Sequence, residues 1–123
     1  MSTAENSRPI ERVTIAPLEK IVERKQVWSR MAAKYCVDNP VPPWKTSLDG
    51  VCDALDHAAC SANVPSVNER RDDEDALSAT IYSSLPYPEN QLVSLAHSLI
   101  VRGVIDETEL QERLSTIRAR LEA

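Results

Sequence analysis

The stretch SLPYPENQLVSLAHSLIVRGVIDETELQERLSTIRARLEA, Ser84 to Ala123, decides the fold class. Within it Leu92, Leu95, Ala96, Leu99 and Ile100 recur at i, i+3, i+4, i+7 and i+8, the spacing of one apolar stripe along a helix. Gly103 predicts the end of that helix, because glycine enters the left-handed conformation without a Cβ clash. Arg102 just before it suits the negative end of the helix dipole. A second helix is expected to start at once: Asp106 can accept from the amide of Glu109 while Glu109 reaches back, and Ile105 can pack on Leu110 as a hydrophobic staple. Leu110, Leu114, Ile117 and Leu121 carry a second stripe. So short a connection predicts an antiparallel helical hairpin whose stripes face each other or a third helix.

Upstream of the hairpin, Ser83, Ser84, Pro86 and Pro88 read as turn residues, with Tyr87 held between two rigid prolines. Pro65 followed by Ser66, Val67, Asn68 and Glu69 is a capping-box signature. It opens a charged helix through Arg70, Arg71, Asp72, Asp73, Glu74 and Asp75. Earlier still, Thr46 or Ser47 can cap a helix with Leu48, Val51, Cys52, Leu55, Ala59 and Ala62 as its buried stripe, despite Gly50, and Asn63 as its stop. The stretch NPVPP, with Pro40, Pro42 and Pro43, cannot continue a helix and predicts an extended linker. Pro17 opens the first helix, in which Leu18, Ile21, Val22, Trp28, Met31, Ala32 and Tyr35 follow at helical spacing up to about Cys36. The first dozen residues are polar and aperiodic, and are expected to be flexible or to order only against a partner. No strand pattern, internal repeat or Gly-rich phosphate loop is present.

The expected architecture is therefore all-α, with about five helices, an extended Pro-rich linker and the C-terminal antiparallel hairpin. It divides into an N-terminal arm over 1–43, comprising one helix and the linker, and a helical domain over 44–123. A length of 123 residues suits one core of ordinary size, not two. That core must be built of Leu, Ile, Val and Ala, because phenylalanine is absent and there are two tryptophans, Trp28 and Trp44.

Composition also bounds function. Nineteen acidic against fourteen basic residues give a formal charge of −5, which opposes nonspecific attraction to nucleic acid or anionic lipid. No apolar run approaches the roughly 20 residues needed to span a bilayer, and MSTAENSRPIERV has no hydrophobic signal core, so a cytoplasmic protein is expected. Cys36, Cys52 and Cys60 form no CxxC pair, which suggests reduced, partly buried thiols in place of a disulfide framework or zinc knuckle. His57 and His97 stand alone in helical stretches and read as surface or packing residues.

No nucleophile with an adjacent base, paired carboxylates or metal-ligand cluster can be recognised. The acids Asp72 to Asp75 point in successive directions around a helix and cannot enclose one ion, so they read as a solvated face. Arg70 and Arg71 have two readings. Guanidinium forks near a helix start can donate paired hydrogen bonds to an oxyanion, or they can bridge to the acids that follow.

From about Trp44 to the end, the sequence resembles the N-terminal helical region of the nitrile hydratase β subunit, most closely the form that is a separate polypeptide in three-subunit members such as thiocyanate hydrolase. The residues that carry the resemblance are Ser66 to Arg71, Tyr82, Leu85, Pro86 and Tyr87, then Leu99 to Ile105 with Glu109 and Leu110. The resemblance implies a noncatalytic subunit of an enzyme that hydrates a nitrile, or thiocyanate, to an amide-level product. It also implies that low-spin cobalt or iron is bound by cysteines of a metal-binding α-type subunit, with no cofactor held by this chain. By position Arg71, fifteen residues before Pro86, matches the arginine that hydrogen-bonds the oxidised cysteine ligands, with Arg70 the near alternative. Tyr87 matches the pocket tyrosine that binds substrate. Where the family usually has a second tyrosine and a further aromatic, this chain has Pro88 and Gln91. The arm is expected to wrap the α-type chain, and a separate barrel subunit is expected to supply the C-terminal half of a normal β subunit, in an assembly such as a dimer of heterotrimers. Two other readings stay open: an activator or metallochaperone of such an enzyme, and a generic helical interaction module.

Overall fold

The computed structural model describes residues 10–25, 27–58 and 64–122. Among them are six α-helices and no strand: α1 (Ala16–Arg24), α2 (Trp28–Lys34), α3 (Lys45–His57), α4 (Val67–Ser78), α5 (Glu89–Val101) and α6 (Glu107–Glu122). None is long and apolar enough to cross a membrane. The principal helix contacts are α4 with α5, then α1 with α5 and α1 with α6.

The all-α expectation holds, but the single helix expected from Pro17 to Cys36 is two. Lys25 takes a left-handed conformation at φ 53°, closing α1. Val27 is extended and sends its side chain into the core at 8% exposure. α2 then restarts against a distant group, because the Trp28 amide donates to Oε2 of the buried Glu89 at 2.6 Å. That carboxylate satisfies a free amide at the positive end of α2, and tertiary structure overrides the local pattern. Met31 and Tyr35, expected in the stripe, are exposed. Residues 37–44 contain no helix and fold back on α2, where the Trp28 indole donates to the Asn39 carbonyl at 2.7 Å.

α3 begins earlier than expected. Lys45 is already helical and neither Thr46 nor Ser47 caps it; the cap position is Trp44, whose carbonyl accepts from Leu48 at 3.1 Å. Leu48 and Leu55 are buried and Cys52 half-buried, while Val51 faces solvent. Ala59, Ala62 and Asn63 lie outside the described residues, as do Cys60 and residues 1–9.

Two of the capping signals are realised in full and the third by half. Ser66 and Glu69 form the reciprocal capping box of α4, with the Glu69 amide donating to Ser66 Oγ at 3.2 Å and the Ser66 amide to Glu69 Oε1 at 2.9 Å. Gly103 adopts φ 78° and closes α5 in a Schellman arrangement, its amide on the Ile100 carbonyl and the Val104 amide on that of Leu99. Asp106 accepts from the Glu109 amide at 2.9 Å, but Glu109 turns its carboxylate to Arg113 and does not reach back.

The core joins both parts of the chain: Ile10, Ile15, Leu18 and Val27 pack with Leu77, Tyr82, Leu85 and Val93. Leu77 and Val93 are fully buried, each contributing about 1.5–3 kcal/mol of transfer free energy. Ile10 thus docks on the chain's own interior, within the dozen residues expected to be flexible or to await a partner. α5 is rotated relative to its apolar stripe. Val93, Ser94, His97 and Ser98 are its most buried residues, whereas Leu92, Leu95, Ala96 and Ile100 are half-buried. α6 buries none of its residues, and the helix it principally touches is α1.

Candidate functional site

The first turns of α4 present Arg70 and Arg71 in succession, and successive helical residues point about 100° apart. Their fates differ accordingly. Arg70 is nearly buried and engaged: its Nη2 meets Asp56 Oδ1 of α3 at 2.6 Å and its Nη1 donates to the Pro65 carbonyl at 3.3 Å. It ties α3 to the start of α4. Arg71 is exposed, and among the described residues it makes no hydrogen bond or ion pair.

Both arginines line a cavity of about 370 Å³, with Cys52 of α3, Glu74 of α4, and Gln91 and Leu95 of α5. Burial pushes the Cys52 thiol up, against the opposing pull of Arg70, so it is protonated at neutral pH and is no ready nucleophile. Burial also raises the Glu74 carboxyl, with Asp75 adding to the effect and Lys45 and Arg71 opposing it. Gln91 Oε1 is buried with no hydrogen-bond partner among the described residues. A guanidinium with no ion pair among the described residues, lining the same cavity as a buried unpartnered acceptor, makes this a place for an incoming polar group. Among the described residues no three His, Cys, Asp or Glu side chains stand where they could hold a metal ion.

Tyr87 is not part of that cavity. Its side chain is 66% exposed, and the Lys45 ammonium lies 5.5 Å from its ring centroid, a cation–π distance. The hydrogen bond to Asp49 holds Lys45 above the usual lysine range. The structure therefore brings Arg70 and Arg71 together and leaves Tyr87 on a separate exposed turn.

Behind the cavity is a charged network that sequence reading missed. Asp73, expected on a solvated acidic face, is 4% exposed. Arg102, the residue that caps the end of α5, grips it, Nε to Oδ2 at 3.1 Å and Nη2 to Oδ1 at 3.2 Å, with Ser98 Oγ donating to Oδ2 at 2.6 Å. Arg102 also reaches Glu69 Oε2 at 3.4 Å, so the capping box and the network share a residue. A signal for it existed. Glu69 and Asp73 stand four apart, as do Ser94, Ser98 and Arg102, which makes two polar ridges on helices whose other residues supply the apolar contacts.

A second buried polar cluster holds the N-terminal segment. His97 is fully buried, and its Nε2 donates to the Glu11 carbonyl at 2.6 Å while its Nδ1 accepts from the Tyr82 hydroxyl at 2.8 Å. Burial lowers its pKa, with the Glu11 hydrogen bond and Asp73 opposing. The Tyr82 phenol is pushed up to about 12, by burial first and Glu19 second, and stays a donor. The reading of His97 as a packing residue holds.

No family model matches the chain, and neither a curated protein nor a solved structure is found that matches it.

Proposed function

We propose that this chain is a noncatalytic β-type subunit of a heteromeric nitrile hydratase-like enzyme. It completes an active site at its interface with a metal-binding α-type subunit. The observation that carries the reading is the contrast between the two arginines. Arg70 is spent on Asp56 and Pro65, whereas Arg71 stands exposed in the first turns of α4 with no partner among the described residues. Cysteine sulfenate and sulfinate oxygens on a partner are compact anions, and a rigid guanidinium fork can hold two of them at once.

In this reading Arg71 is the contact to the oxidised ligands, and Arg70 positions the start of α4. Tyr87 forms part of the substrate wall only through the partner, since it lies apart from the Arg71 cavity. Cobalt or iron belongs to the partner chain, a separate barrel subunit supplies the remaining β-type half, and the assembly works in the cytoplasm. Helices that bury a core of their own while Arg71 stays exposed at the cavity suit such a contributor.

The test is copurification with untagged neighbouring chains, followed by metal analysis and a nitrile hydration assay. A stoichiometric complex with bound cobalt or iron and activity is expected. Arg71→Lys should leave assembly intact and cut turnover by about tenfold or more, because lysine keeps the charge and loses the fork. Unchanged turnover removes Arg71 from the site, and the absence of any metal-bearing partner removes the reading.

A further inference from the structure

Among the described residues α6 is the one helix with no buried residue, although it carries a regular aliphatic stripe. Leu114, Ile117 and Leu121 are 40%, 42% and 78% exposed. Together with Pro17 and Ile21 of α1 they line a groove of about 510 Å³. Its charged border is basic: Lys20 and Arg24 stand on the α1 side and Arg118 on the α6 side, against a single carboxylate, Glu122, which Arg118 Nε engages at 3.1 Å. Among the described residues Lys20 and Arg24 form no ion pair. In a chain of net charge −5 this border is a local reversal of sign.

We propose that the groove between α1 and α6 receives an amphipathic helix of another protein, one whose aliphatic stripe is flanked by carboxylates. Leu114, Ile117 and Leu121 follow the i, i+3, i+7 spacing by which a helix packs a seam against a second helix. Flanking acids on that second helix would meet Lys20 and Arg24, which form no ion pair among the described residues, and complementary flanks select the partner. A second copy of this chain fits poorly, because pairing through the same groove would set its basic border against itself. A lipid surface is an outcome of the test. The proposal is independent of the nitrile hydratase-like reading.

The test uses the full chain and two fluorescent helical peptides. They share a leucine seam, one flanked by glutamates and the other by lysines. The chain should bind the glutamate-flanked peptide at least about tenfold more tightly, with affinity falling as salt rises. Ile117→Glu should abolish that binding, and the double variant Lys20→Glu, Arg24→Glu should reverse the preference; both positions are on the α1 surface, so folding is retained. Equal affinity for the two peptides, or a preference unchanged in the double variant, overturns the proposal. So does binding to anionic phosphatidylglycerol vesicles that displaces the peptide, or a dimer in sedimentation that Ile117→Glu dissociates.

Discussion

The α4–α5 pair and α6 make opposite use of amphipathic sequence. α5 shows an aliphatic stripe, yet its deepest face is Val93, Ser94, His97 and Ser98, and the seam with α4 is closed by Asp73 and Arg102. α6 shows a stripe as regular and buries none of it. Apolar periodicity therefore states that a helix has a face to cover, without stating what covers it. In the α4–α5 seam the polar ridges find mutual partners and become the interior; on α6 the aliphatic ridge meets chiefly the edge of α1.

The comparison breaks most readily at Arg102. Arg102→Met leaves the Asp73 carboxylate buried with one hydroxyl for company, and such an uncompensated charge costs about 3 kcal/mol. Urea unfolding monitored by circular dichroism should show a loss of that size. Replacing both groups, Asp73→Leu with Arg102→Met, should restore much of it, since the lone buried charge is then gone. A double variant no better than the single would mean that the network specifies the seam and does not merely fill it.

The next effect is pH-dependent. His97 has its pKa lowered by burial, so the unfolded chain takes up the proton more readily than the folded one. Its contribution is then fully present above the unfolded value of about 6.5 and is lost as the pH falls through and below it. His97→Gln should destabilise the protein by about 1–3 kcal/mol at neutral pH, because the Glu11 carbonyl and Tyr82 hydroxyl lose their geometry. The gap between the two proteins should narrow on acidification to about pH 5. A gap that widens instead would show that His97 is held charged.

Gly103 tests a smaller, purely local term. A Cβ at this position would meet no heavy atom within 4 Å, but the backbone is left-handed at φ 78°. Gly103→Ala should cost about 1 kcal/mol through that conformation alone. Thermal unfolding of the two proteins measures it.

Local signals were the legible ones. The Ser66–Glu69 box, the Gly103 closure and the Asp106 cap each depend on residues within one turn of each other, and each formed. The break at Lys25 was not legible, because what restarts α2 is a carboxylate at Glu89, far along the chain. Nor was the rotation of α5, which follows from polar ridges on two helices meeting rather than from either helix alone. At the candidate site, the sequence placed Arg70 and Arg71 side by side at the start of a helix. Their division of labour needed Asp56, a surface acid on another helix that no spacing rule joins to Arg70. The cavity wall from Cys52 and Gln91 likewise exists only once α3 and α5 are docked.

The least change is expected on α6. Leu114 lies mid-helix in the stripe, at a position where a coiled-coil or bundle core would lose about 2–5 kcal/mol on truncation. Here it is 40% exposed, so Leu114→Gln should shift stability by no more than about 0.5 kcal/mol, as an ordinary surface substitution does. Glutamine also keeps the helix propensity close to that of leucine, which leaves burial as the variable being tested. A loss of about 2 kcal/mol in the isolated chain would place α6 in the core and erase its contrast with the α4–α5 seam. A negligible loss means that the stripe on α6 adds little to the stability of this chain and is open to a partner.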